Sequence, residues 1–423
     1  MFTALRALAP GPLHAPHRDG LLRWVHELLQ VRVAWELGLD EADALHAPDP
    51  ALASPRARDR SLASAPGPVL AEGPAATFEE ARRALIEAPS ANAADVALGR
   101  LAELAAPVAA VRKELRARRF EAARRLGLDH PWALATSAGA SELETLARAI
   151  LDATEPLARE LHKDARRRVG PVRAGSAAAF VVDGFARDAE EGWPARLGAR
   201  WLEDVFRELA PRAPRVAKLP TARGGASFLR AAHQWGFALR LGAVARSLPF
   251  ALARDPYPVE AFVVGGALAA AVAGRPFAKR KLGLPARGAD AHARALARVL
   301  FATLRTSAAT LLAGVRDPVR EDELEELTAR LFGAPLPRDL AAAWALGGFA
   351  GSARVDAPAR FVAAVRTHGV VRDLVDRFDE DWFDNPRAGA HLASIGAGPP
   401  WQGDVPDAEV ARAAARSFEE TLG

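Results

Sequence analysis

The run Ala261–Gly274 carries no charged side chain over 14 consecutive residues. Roughly 20 apolar residues are needed to cross a bilayer, so this run is too short to span one. It is rich in Ala and Gly, and a core helix wrapped by other elements is the arrangement that suits it. A second segment, Ser227–Ser247, is also apolar nearly all round, which buries a helix on most of its sides. A chain obliged to bury two such helices must supply further helices to cover them.

The remainder of the chain supplies them. Leu21, Leu22, Val25, Leu28, Leu29, Val33 and Leu37 recur like one helix face. A stretch over 46–76, with six prolines and no sustained period, predicts a loop. Thr77 and Glu80 have the spacing of a capping box, and amphipathic helices follow to about 168. Further helices are predicted near 189–210, 226–247, 259–273, 289–313, 318–331, 338–350, 357–377 and 406–421. Lys279-Arg280-Lys281 is read as a basic loop, and 379–400 as a Trp/Pro/Gly-bearing turn region. Ala179–Asp183 is the one fair strand candidate. The expected fold is therefore all-α or mostly α, with at most a small β element. It forms one unit over 1–423, with two helical lobes around a cleft, 1–168 and 169–423.

Composition narrows the function classes. With 423 residues, half of them hydrophobic and 26% charged, the chain has globular proportions. There is no cysteine, which excludes disulfides, thiolate nucleophiles and Cys-ligated metals. The formal charge is only +4. Lysines occur only at 113, 163, 218, 279 and 281, so the high isoelectric point comes from arginine. The arginine-rich stretches are interleaved with apolar residues, as on solvated helix faces, and no nucleic-acid motif accompanies them. The N-terminus lacks the long apolar core of a signal peptide. These features predict a cytoplasmic protein without nucleic-acid or membrane partners.

The chemistry-bearing stretch lies in the two apolar helices. His233-Gln234-Trp235-Gly236-Phe237-Ala-Leu resembles the His-Glu-Phe-Gly-His-Ala-Leu helix of the thimet-oligopeptidase-like and oligoendopeptidase-like zinc peptidases, of gluzincin type. Val259-Glu260 falls where that family carries its third zinc ligand, and Arg118–Gly127 also looks like family helices. Such a site needs imidazoles at i and i+4, a third ligand from a neighbouring helix, and a glutamate base for the metal-bound water. By resemblance, His233 matches the first ligand and Glu260 the third. Gln234 replaces the base with an amide that takes up no proton at neutral pH, and Phe237 replaces the second ligand. The family's oxyanion-stabilising histidine–tyrosine cluster has no counterpart, since the only tyrosine is Tyr257.

The resemblance thus implies a pseudoenzyme with no catalytic residue, metal or cofactor. His233, Gln234, Phe237 and Glu260 would be the vestigial site, and Tyr257 and Trp235 candidates to line a cleft that binds a peptide or protein segment. His233 and Glu260 are expected to meet across their helices, with Phe237 filling the second imidazole's place. Two alternatives stand beside this. One is a structural or assembly protein with a filled cleft; the other is a metal-free enzyme using His233 and Glu260 as acid and base. Read without the resemblance, His233 is a hydrogen-bonded core histidine and Glu260 a carboxylate favoured at a helix N-terminus. His14 and His17 are assigned to a tail, and the acidic residues around Trp382 to a solvated turn. The pairs Gly224-Gly225 and Gly265-Gly266 follow no strand, which argues against a phosphate loop.

Overall fold

The computed structural model describes residues 138–169, 199–209, 224–243, 259–316, 319–345, 357–397 and 403–423, with scattered positions between 84 and 134, Leu197 and Trp401. Among these residues 83% are helical and there is no strand. The chain is all-α over this part. The segments 18–38, 46–76, 77–80 and 179–183, together with His14, His17 and Tyr257, lie outside the described residues.

The longer helices are α1 (Ala140–Val169), α2 (Ala199–Val205), α3 (Gly225–Ala243), α4 (Val259–Ala273), α5 (Arg275–Arg280), α6 (Ala286–Gly314), α7 (Glu321–Phe332), α8 (Arg338–Ala345), α9 (Ala357–Phe378), α10 (Pro386–Gly396) and α11 (Ala408–Leu422). Their ends are set by local chemistry. The Gly139 amide donates to Glu142 at 3.2 Å at the start of α1. Asp407 accepts from the Glu409 and Val410 amides and caps α11. Helix α7 stops at Gly333, whose φ of 77° is the left-handed conformation glycine adopts without penalty.

Two sequence expectations are corrected. Lys279 and Arg280 are not in a loop but form the last turn of α5, with Lys281 as its C-cap. Pro276 sits in the first turn, where its missing N–H costs nothing, so it starts this helix instead of breaking one. The turn region 379–400 likewise contains α10, whose cap is Asn385 accepting from the Arg387 amide at 3.0 Å, with Pro386 in the first turn. A short 3-10 turn, Trp382–Asp384, precedes it. Pro276 and Pro386 each stand in the first turn of a helix, a place proline takes as readily as one beyond a helix end.

The chain divides into two compact units. Over the described residues, one takes α2–α5, most of α6 and α9–α11, and the other α1, the C-terminal end of α6, α7 and α8. The second unit includes α7 and α8 along with α1. In that unit α1 and α7 are joined by ion pairs: Arg148–Glu323 at 3.4 Å, Arg330–Asp152 at 2.7 Å and Arg330–Glu155 at 3.3 Å.

The first unit is organised around α4, which is buried at nearly every position. It packs on α3, α5 and α10, and its most extensive partner is α3. Phe206, Phe228, Trp235, Val264, Leu268, Phe277, Phe383 and Leu392 share the core around it. Each large side chain so buried contributes about 1.5–3 kcal/mol relative to leaving it in water. At 15 residues α4 stays below a bilayer's span. Among the described residues one helix, α6, is long and apolar enough to cross a membrane, and half of that stretch is buried within the protein.

Candidate functional site

Helices α3 and α4 cross at two glycines. A methyl group on Gly236 would lie 2.3 Å from the Gly265 Cα and 2.4 Å from its amide nitrogen. A methyl on Gly265 would lie 2.6 Å from the His233 carbonyl oxygen and 2.9 Å from its Nδ1. The helices can approach this closely only because neither has a Cβ there. The glycine pair in α4 serves two neighbours, since a methyl on Gly266 would meet the Thr367 hydroxyl of α9 at 2.4 Å.

This crossing sets the surroundings of His233. Its ring lies over Gly265 and 5.9 Å from the Phe262 ring. The Arg360 guanidinium stacks on the same Phe262 ring with 4.5 Å to its centroid, a cation–π geometry. Burial, and after it the positive charge of Arg360, lower the imidazole pKa from 6.5 to about 4. His233 is therefore neutral at pH 7. A neutral imidazole can in principle ligate a metal. A guanidinium close enough to disfavour a proton on this ring also repels a dication placed there.

The other expected positions are distributed as follows. Glu260 is 8% exposed and lies in the first turn of α4, two residues before Phe262. The structure thus brings the His233 and Glu260 helices together; across the crossing, the ring of His233 has Gly265 and Phe262 beside it. Gln234 is exposed on α3. Trp235 is not at an opening but in the core, 3% exposed, with its ring 5.5 Å from Phe206. Phe237 belongs to α3, but its side chain lies outside the described residues, as does Tyr257. Among the described residues no group of three or more His, Asp or Glu side chains could hold a metal ion.

Sequence reasoning missed Arg360 and Phe262. Phe262 looked like one more apolar residue of a core helix, and Arg360 stands 100 residues beyond Glu260 with no local signal. It also missed the pairing of the acidic residues around Trp382. Arg280 pairs with Asp381 and reaches Asp384 at 3.7 Å, and Lys281 meets Asp384 at 2.5 Å. The acidic turn is the counterpart of the basic end of α5. No family model matches the chain, and no curated protein matches it.

Proposed function

We propose that this chain is a catalytically inactive, metallopeptidase-like cytoplasmic protein that binds a peptide or an extended protein segment without cleaving it. The observation that carries this reading is the state of His233. The residue matching the first zinc ligand is neutral, pressed against Gly265, and close enough to the Arg360 cation to feel its charge. Gln234 and Phe237 supply neither base nor second ligand, and one imidazole with one carboxylate falls short of the three protein ligands of a catalytic zinc site. A metal-free enzyme using His233 as base is disfavoured, because a group with a pKa near 4 is a weak proton acceptor at neutral pH.

A second reading, a structural or assembly protein, is favoured by the closed α3–α4 crossing and the burial of α4 along nearly its whole length. The test is direct. Protein incubated with zinc and desalted should retain far less than stoichiometric metal and cleave no peptide from a mixed library. The same library should leave bound peptides on the immobilised protein. Stoichiometric zinc that disappears in His233→Ala would refute the inactive-site reading. Absence of any retained peptide would leave the structural reading in its place.

A further inference from the structure

Arg360 is placed by helix packing. Helix α9 docks on α4 where Thr367 meets Gly266. Arg360 stands seven residues before Thr367, on the same face of α9, and Phe262 stands four residues before Gly266, on the same face of α4. The same docking therefore brings the guanidinium over the Phe262 ring, 4.5 Å from its centroid. Phe262 is 6% exposed and gives the cation a fixed floor, while Arg360 itself is exposed. Stacking engages the flat face of a guanidinium and leaves its N–H donors pointing outward in the plane. These donors outnumber what one partner can use. The group can serve a protein acceptor on one edge and both oxygens of a carboxylate on the other.

We propose that Arg360, held over Phe262 beside His233, anchors the C-terminal carboxylate of the segment this protein binds; this rests on the peptide-binding reading and names the chemistry of its ligand. His233, 5.9 Å from the same ring, is neutral, so Arg360 is the one of the two whose charge attracts an anion. A guanidinium already fixed on an aromatic ring loses little rotamer freedom when a carboxylate arrives, which favours two parallel hydrogen bonds to one planar group. The neighbouring α3–α4 crossing is shut, because the backbones touch at Gly236 and Gly265, and no peptide passes between these helices. A segment that reaches Phe262 along the surface comes to a closed end there. That suits a chain terminus better than a side chain midway along an extended strand.

The test uses the full chain, immobilised, and random octapeptide libraries in three forms. One has a free C-terminal carboxylate, one a C-terminal amide, and one a free carboxylate but no Asp or Glu. Both free-acid libraries should be retained about 10-fold more than the amide, the worth of one charge-assisted contact. Arg360→Gln should erase that difference. Arg372→Gln, which removes an exposed cation from the same helix, should keep it. A preference for the free acid that survives in Arg360→Gln would overturn the proposal, as would retention that follows Asp and Glu content instead of the C-terminal group. Should Arg360→Gln not fold, the wild-type comparison still decides, and Arg360→Lys, which keeps the charge but not the planar donors, should lower the preference. Equal retention of acid and amide by the wild type would overturn the carboxylate anchor and leave the peptide-binding reading standing. No peptide retained in any form would end both.

Discussion

Gly236→Ala places a methyl group at the α3–α4 crossing, where it meets backbone only: the Gly265 Cα at 2.3 Å, the Gly265 nitrogen at 2.4 Å and the Val264 carbonyl carbon at 2.9 Å. No side chain can rotate away, so the helices themselves must part. Ordinary contact begins near 3.4 Å, which requires a separation of about 1 Å. Such a gap forfeits a quarter to a half of the dispersion energy of the facing atoms, and overpacking typically costs about 1–3 kcal/mol. Alanine returns about 1 kcal/mol of helix propensity. The net expectation is a destabilisation of up to about 2 kcal/mol. Gly369→Ala is the matched control, since it is also helical and a methyl there meets nothing within 4 Å. It should be neutral or stabilising by up to about 1 kcal/mol. Urea unfolding of both variants, followed by tryptophan fluorescence, makes the comparison. A Gly236→Ala protein as stable as Gly369→Ala would mean that α3 and α4 do not meet at these glycines.

Two further outcomes are expected. His130 is 6% exposed, its Nε2 faces the Gly314 carbonyl at 3.2 Å, and its Nδ1 accepts from the Trp132 amide, so both nitrogens are used by the neutral ring. Burial first, and Arg116 as well, lower its pKa to about 4, so its stabilisation is complete above pH 6.5 and is lost as pH falls from 6.5 towards 4. Up to about 3 kcal/mol is at stake, and a His130→Gln variant whose urea midpoint varies with pH as the wild type's does would contradict this. Glu144 accepts from Arg148 at 2.8 Å and Arg316 at 3.0 Å while 19% exposed. Glu144→Gln should cost about 1 kcal/mol at low salt and less at high salt, and an unchanged denaturation midpoint in both would show that the pairs contribute nothing.

What the sequence made legible is what local pattern controls. The bounds of α4 follow from an apolar run that begins after Pro258 and ends at Gly274, and α9 and α11 fall within one or two residues of their periodic patterns. Proline was ambiguous because Pro276 and Pro386 open helices with the same residue that ends others. That α3 and α4 are buried helices was legible, but the meeting of Gly236 with Gly265 was not, since a glycine pair in an apolar run shows nothing of which helix will approach it. The candidate site divides along the same line. His233 and Glu260 stand out because a histidine and a carboxylate are costly in apolar helices. Arg360 does not stand out, as an arginine in the first turn of an ordinary amphipathic helix. Yet Arg360, brought to Phe262 by the docking of α9 on α4 at Gly266 and Thr367, adds to the burial that keeps His233 neutral. Which residues are unusual can be read along the chain; which charge answers them depends on helices packing across about 100 residues of separation, and with it the chemistry of His233.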